Sequence, residues 1–167
     1  MKYISAAIGL VAIAIVPAAV MAADSGKSAS FVKEAIQGDN SEIMLGKLAQ
    51  QRGGSDGVRS FGKILADDHG RAKQQMMDVA KDVGVQATFD PTPEAKDEYT
   101  KLSKMSGADF DREFVSYMVD DHKKDIAKFQ DESKANDGKV SQLAAQQLPT
   151  LQKHLQIAQS LQQSAGK

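Results

Sequence analysis

The segment FGKILADDHG at residues 61–70 has a near copy, FVSYMVDDHK, at residues 114–123. Each segment begins with Phe, continues through apolar positions and reaches Asp-Asp-His eight residues later, in a chain of 167 residues with only three histidines. Apolar residues at this spacing predict amphipathic helices. The acid pair and the imidazole therefore lie beside the buried face of each predicted helix.

The same spacing continues outside both segments and predicts an all-α chain. Ala, Gln, Lys, Asp and Leu dominate the composition, Trp is absent, and no stretch alternates as a strand would. The predicted long helices run from about Ser28 to Arg52, from Ser55 or Asp56 to Gly84, from Ser106 to the turn at residues 136–138, and from Lys139 towards the C-terminus. Capping residues and glycines set these bounds.

A long connection separates the second predicted helix from the third. The segment VQATFDPTPEA at residues 85–95 contains two prolines and breaks the apolar spacing, and a short helix is predicted from about Thr92 to Lys104. Short turns within two hairpins and a long crossover between them match a ferritin-like four-helix arrangement. The sequence therefore predicts a ferritin-like four-helix bundle whose crossover carries a short extra helix.

The first residues, MKYISAAIGLVAIAIVPAAVMAAD, have the order of a secretory signal peptide: one Lys, an uncharged apolar run and then small residues. The apolar run is shorter than the roughly 20 residues that span a membrane, although an uncleaved anchor is the alternative. The small residues predict cleavage after Ala22. We expect a signal peptide at residues 1–22, a single four-helix domain at residues 23–167, and a periplasmic location, either free or associated with the outer membrane.

Charge and cysteine content restrict the partners of the mature chain. Cleavage removes Lys2 alone among the charged residues, which leaves 20 basic against 22 acidic residues. This balance gives no electrostatic reason to expect nucleic acid or an anionic membrane as a partner, and no stable membrane insertion is expected after cleavage. The chain has no cysteine, which excludes disulfides and thiolate ligands. Nitrogen and oxygen atoms must therefore hold any bound metal ion.

Each predicted long helix interrupts its apolar face with at least one potential metal ligand. These residues are Glu42 in the first helix, Asp68 and His69 in the second, Asp121, His122 and Asp125 in the third, and His154 in the fourth. A buried carboxylate or imidazole without a partner costs several kcal/mol, so such groups must contact each other, hold water or bind a cation. Imidazole and carboxylate without sulfur favour Fe, Zn, Mn, Cu or Ni over Ca or Mg.

The rise of an α-helix places these residues at similar depths in the bundle. Glu42 and His69 lie about 17 and 23 Å from the first hairpin turn. Asp125, His122 and His154 lie about 17, 22 and 26 Å from the second turn. All of them are therefore predicted near the middle of the bundle, within reach of one another.

The sequence gives little support for a ferritin-like di-iron centre, a nucleotide-binding site or a hydrolase. Ferritin-like di-iron centres use an acid three residues before a histidine, and none of the three histidines here has one. No Gly-rich phosphate loop, nucleophile elbow or HExxH motif is present. We therefore assign no catalytic residue and no organic cofactor; if the protein is an enzyme, a metal-dependent oxidoreductase is the class that the site suggests.

These residues lie in a pattern that resembles an uncharacterised bacterial family, domain of unknown function 4142. The pattern comprises FVKEA at 31–35, Glu42, LGKLA at 45–49, FGKILADDH at 61–69, LSKMSGADFDREF at 102–114 with DDH at 120–122, and LPTLQKHL at 148–155. The resemblance covers nearly all of the mature chain. It implies a ferritin-like bundle, a location in the cell envelope and suspected ligands, but no established activity. The implied ligands are Glu42, Asp68, His69, Asp121, His122 and His154.

Two functions from different classes are compatible with this sequence. The first is a transition-metal site formed by Glu42, His69, His122 and His154, for metal buffering, sensing or stress protection. Asp68, Asp121 and Asp125 lie beside this site, and the first two can instead orient the neighbouring imidazoles. The second is a metal-free structural or interaction module in which the buried histidines and acids satisfy one another.

Overall fold

The part of the chain that the structure describes is all-α, as predicted, with four long helices and a short helix in the crossover. The structure is a computed structural model that describes residues 18–86, 88, 90–135 and 138–165. The helices are α1 (Ala18–Arg52), α2 (Asp56–Asp82), α3 (Pro93–Leu102), α4 (Gly107–Glu132) and α5 (Lys139–Ala165). The described residues contain no strand and only one isolated backbone bridge, between Gly53 and Gly107.

The predicted start of the first helix is wrong. Helix α1 begins at Ala18 and runs through Ser28 without a break, so Ser28 lies inside the helix and does not cap it. The helix also includes Ala22, after which cleavage is predicted, while residues 1–17 lie outside the described residues. The signal peptide stays a prediction. Within the described residues, no helix is both long enough and apolar enough to cross a membrane.

The later helices begin where their capping residues predict. The Ser55 side chain accepts a hydrogen bond from the backbone N–H of Val58, and the Thr92 side chain accepts one from Ala95. These bonds satisfy backbone groups that the first turn of a helix leaves unpaired. Gly84 follows α2 with a φ of 69°, a left-handed conformation that glycine adopts without strain.

Two apolar clusters fill the bundle, and a polar layer lies between them. The upper cluster includes Leu45, Phe61, Leu65, Phe110, Phe114 and Met118, and the lower cluster includes Val32, Ile36, Met76, Phe129, Leu143 and Leu151. Each long helix passes from one cluster to the other. It crosses the middle at Glu42, His69, His122 or His154, all of which are buried. The fold therefore brings one potential ligand from each long helix to the same level.

Helix α1 packs mainly on α2, and two glycines set how closely these helices approach. A Cβ at Gly46 would lie 2.6 Å from the carbonyl oxygen of Gly62, and a Cβ at Gly62 would lie 2.5 Å from that of Gly46. Such contacts are far closer than non-bonded atoms tolerate. Only glycine fits at this crossing, which fixes the register between α1 and α2.

Two sets of hydrogen bonds that involve side chains join the hairpins to the rest of the fold. The buried Asp111 of α4 accepts hydrogen bonds from the backbone N–H groups of Gly54 and Ser55, at 2.7 and 2.8 Å. In the middle of α1, Asn40 donates to the carbonyl of Thr88, and Ser41 accepts from the backbone of Thr92. These bonds hold the first turn against α4 and the crossover against α1.

Candidate metal centre

Three buried histidine rings from three helices meet in the polar layer. His69, His122 and His154 expose 4%, 1% and 0% of their surfaces. Their ring centroids lie 5.3 to 5.9 Å apart. One ring nitrogen from each histidine lies within 4.8 Å of the other two. The convergence predicted from helix rise is therefore confirmed for all three histidines.

The hydrogen bond of His122 fixes which of its nitrogens is free. Its Nδ1 lies 2.9 Å from the backbone carbonyl oxygen of Met118. A carbonyl oxygen only accepts, so Nδ1 carries the hydrogen. Burial, helped by the nearby His69 and His154, lowers the pKa of His122 to about 3 and keeps the ring neutral. Its Nε2 is then a bare acceptor, buried without a hydrogen-bond partner.

The other two histidines are each held by a carboxylate. His69 Nδ1 lies 2.8 Å from Oδ1 of the buried Asp39, and His154 Nε2 lies 2.9 Å from Oδ2 of Asp68. An imidazole that donates one N–H to a carboxylate is fixed in orientation and becomes a more basic ligand at its other nitrogen. The remaining nitrogens, Nε2 of His69 and Nδ1 of His154, are buried without a hydrogen-bond partner.

The pKa of His154 supports a neutral ring despite its acidic partner. Burial lowers this pKa to about 4, and the hydrogen bond to Asp68 only partly opposes the shift. Metal ions bind neutral imidazole, and protonation competes with binding. At neutral pH, His122 and His154 are therefore already in the form that coordinates a metal ion.

Glu42 lies beside the histidines but outside their group. Its carboxyl is 1% exposed, and one oxygen lies 3.8 Å from Nδ1 of His122, the nitrogen that donates to Met118. Neither carboxyl oxygen has a hydrogen-bond partner within normal geometry. Burial raises the pKa of Glu42 well above its ordinary value, and the nearby carboxyl of Asp121 raises it further. A protonated, neutral side chain is the form that this environment favours.

The structure places the remaining predicted ligands at the edge of the site. Asp125 lies next to Gly38, where a Cβ would be 3.8 Å from its Oδ2, and burial raises the Asp125 pKa to about 7. Asp121 and Asp125 both line a groove of about 610 Å³ between α1, the crossover and α4. Within the described residues, the group with donor atoms close enough for a shared ion contains only the three histidines. The assignment of Glu42, Asp68, Asp121 and Asp125 as ligands stays a prediction.

Asp39 is a residue of the candidate site that the sequence analysis missed. It precedes Glu42 by three residues and belongs to the polar run Asp39–Glu42, all four residues of which are buried. Four consecutive polar residues in the middle of a long helix were the available signal. Asn40 and Ser41 hold the crossover, whereas Asp39 and Glu42 face the histidines.

One protein family matches most of the chain. The family described as "Domain of unknown function (DUF4142)" matches residues 16–161. The chain belongs to the DUF4142 family. That description gives no activity, and no curated protein is significantly similar to the chain. The chemistry of this DUF4142 chain must therefore be argued from its own residues.

One solved structure has a similar fold. It is the crystal structure of a DUF305 fragment from Deinococcus radiodurans, with a TM-score of 0.73 and 18% sequence identity. The match covers 83% of this chain and 96% of the fragment. At this level of identity the similarity shows the helical fold alone. The relationship to ferritin-like proteins remains a prediction.

A cleft of about 270 Å³ leads from solvent to the histidine cluster. It runs between α1, α2, α4 and α5. Its inner lining includes Asp39, Asp68, His69, Asp125 and His154. His122 and Glu42 do not line it, so the site is closed on their side and open on the side of His69 and His154. The cleft therefore brings solvent next to the rings of His69 and His154, whose free nitrogens are buried behind it.

Proposed function

We propose that this protein binds one divalent first-row transition-metal ion through His69, His122 and His154. The observation that carries the proposal is the convergence of one nitrogen from each ring within 4.8 Å, in a layer where each ring has a buried nitrogen without a partner. The other nitrogen of each ring is already held by Asp39, a backbone carbonyl or Asp68. This is the arrangement by which proteins orient histidine ligands.

The alternative, a metal-free polar network, leaves these same nitrogens unexplained. In such a network the histidines and acids would satisfy one another, and two of them do so through Asp39 and Asp68. Each of the three rings nevertheless keeps a second buried nitrogen that no described protein group satisfies. Leaving a buried acceptor unpaired costs about 1–3 kcal/mol. A cation at the centre of the cluster offsets this cost for all three rings, which favours the metal site.

The donor set favours Zn²⁺, Cu²⁺, Ni²⁺ and related ions over Ca²⁺ and Mg²⁺. Three imidazoles without sulfur suit first-row transition metals, with Cu²⁺ expected to bind most tightly. At a metal–nitrogen distance of about 2.0–2.1 Å, tetrahedral ligands lie roughly 3.4 Å apart. Ring nitrogens within 4.8 Å of one another reach that spacing by small movements of the rings.

Metal buffering or sensing in the cell envelope is the role that fits this site best. The proposed export rests on the N-terminal sequence, and the ligand set lacks cysteine, so oxidation of a thiol cannot destroy it in an oxidising compartment. The mass of the protein recovered from a periplasmic fraction tests export. Loss of residues 1–22 supports it, and a full-length cytoplasmic protein contradicts it.

Metal analysis of the purified protein tests the proposed site. The chain is stripped with a chelator, dialysed against Zn²⁺, Co²⁺ or Cu²⁺, and analysed for metal content. We expect one ion per chain, at least a hundredfold weaker binding in His122→Ala and His154→Ala, and unchanged binding in Gln156→Ala, a control on the exposed side of α5. Circular dichroism confirms that each variant is folded. A folded wild-type chain that retains no metal contradicts the proposal.

A further inference from the structure

The cleft reaches the proposed metal site on one side only. All three histidines are buried, but His69 and His154 line the cleft and His122 does not. Three protein nitrogens leave a tetrahedral ion with a fourth position that water or another ligand takes. The buried His122 and Glu42 lie on the other side of the cluster, which leaves the side of His69 and His154, next to the cleft, for the fourth position.

The charges around the cleft are paired and give no surplus that would attract an anion. Lys128 lies 3.7 Å from a Glu34 oxygen and 4.0 Å from an Asp125 oxygen. The other cation, Arg71, forms an ion pair with Asp68. Acids of the lining therefore neutralise both of its cations. The cleft has no unpaired positive charge that would favour an anionic ligand over a neutral one.

Apolar side chains form part of the cleft wall, alongside the acids that lie near the histidines. Phe31, Ala35, Ala72, Phe129 and Leu151 contribute these apolar side chains. The volume of about 270 Å³ lies just below the range of pockets that hold drug-sized molecules. A ligand that fits is small, has an apolar body and offers one neutral donor atom to the metal.

We propose that the metal ion keeps an open position at the base of this cleft, where it binds small neutral molecules with a nitrogen donor and an apolar body, of the imidazole class. The proposal rests on the proposed function, since it needs the metal ion. It adds that the site is a small-molecule receptor as well as a metal store. The residues that line the cleft control the entry of this small molecule.

Gly38 provides a way to narrow the cleft without changing His69, His122 or His154. It lies on the wall formed by α1, and a Cβ there would meet only Asp125 Oδ2, at 3.8 Å. The space at this position accommodates a leucine side chain, which would occupy part of the cleft. Gly70 of α2 is the matched control, because it also lies inside a helix, a Cβ added there would meet no atom within 4 Å, and it does not line the cleft.

The test uses the Co²⁺-loaded protein and imidazole as the probe. Co²⁺ bound by three histidines absorbs visible light, and a new ligand at its open position changes that spectrum. We expect imidazole to change the spectrum saturably in the wild type and in Gly70→Leu, with at least tenfold weaker binding in Gly38→Leu. Thr150→Phe, which adds bulk to the cleft from α5, is a second cleft variant with the same expected loss.

The outcomes separate this proposal from the proposed metal site. If Co²⁺ does not bind to the wild type, the metal site itself is wrong. If Co²⁺ binds in all variants but imidazole has no effect or removes the ion, the open position is wrong. If imidazole binds equally in both cleft variants and the control, the placement of that position at the base of the cleft is wrong. Azide serves as a charged probe, and azide binding tighter than imidazole binding overturns the preference for neutral ligands.

Discussion

His69 Nδ1 and Asp39 Oδ1 lie 2.8 Å apart in the buried interface between α1 and α2. Gly46 follows Asp39 by seven residues and Gly62 precedes His69 by seven residues. In an antiparallel hairpin, these equal spacings place the close glycine contact two helical turns, or about 10 Å, from the pair. The glycines thus set the register at which Asp39 meets His69, and Asp39 in turn directs the free Nε2 of His69 into the cluster.

Asp68→Ala is expected to weaken metal binding without abolishing it. Asp68 orients His154 through Nε2, and loss of such a partner typically reduces metal affinity 10–100-fold. Competition with a chelating indicator measures the change. Asp67→Ala is the control, since Asp67 is exposed and forms an ion pair with Lys63 on the surface. Equal affinities of the two variants would show that Asp68 does not support the site.

The sequence predicted the meeting of the histidines because it depends only on regular helix geometry. Their depths follow from the rise per residue and from turns marked by glycines. The faces follow from the apolar spacing, which places His69, His122 and His154 among buried residues. Both quantities are properties of single helices, and the structure confirms the result.

The partners of the histidines were harder to predict, because they depend on distances between helices. Asp39 pairs with His69 only because two glycines let α1 and α2 approach closely. Glu42, one helical turn later, lies beside His122 instead. Both acids lie on the inner side of α1, and the apolar pattern does not indicate which histidine each of them meets. Spacing along the chain does not distinguish a direct ligand from an acid that orients one.

Glu42→Gln is expected to make the metal-free protein more stable at neutral pH. The raised pKa of Glu42 means that the folded state binds a proton that the unfolded state releases as the pH rises above about 4.5. The free energy of unfolding therefore falls by roughly 1.4 kcal/mol for each pH unit above about 4.5, until the pH reaches the folded-state pKa. Gln carries no proton to lose. Urea unfolding in excess chelator should show the gain of the variant increasing from about pH 4.5 to 6.5, whereas a variant that is less stable throughout this range contradicts the burial argument.

His154→Gln is expected to change the pH dependence in the opposite direction. The lowered pKa values of His122 and His154 mean that the unfolded state binds more protons below about pH 6.5, so these two rings make stability rise with pH. The raised pKa values of Glu42 and Asp125 make it fall. Asp39 and Glu98 also have raised pKa values, so the effect of His154 is isolated by comparing the variant with the metal-free wild type.

Removing one histidine changes the slope of stability against pH in a measurable way. His154→Gln loses one rising contribution, so between about pH 4.5 and 6.5 its stability should fall relative to the wild type by roughly 1.4 kcal/mol per pH unit. Glu42→Gln should rise relative to the wild type by a similar amount, which makes the two variants controls for each other. Urea unfolding at several pH values, with chelator present, measures both slopes. Parallel pH profiles for the two variants would exclude the assigned protonation states.

Gly62→Ala is expected to be strongly destabilising and to impair metal binding. Its new Cβ would lie 2.5 Å from the Gly46 carbonyl oxygen and 2.8 Å from the Ala49 Cβ, so the helices must separate, at a cost of about 1–3 kcal/mol or more. Separation also moves Asp39 away from His69. Gly70→Ala, in open space on the same helix, should instead gain about 0.5–1 kcal/mol from helix propensity. Thermal unfolding and metal titration of both variants check this, and a Gly62→Ala protein as stable as Gly70→Ala would show that the close crossing does not set the register of the site.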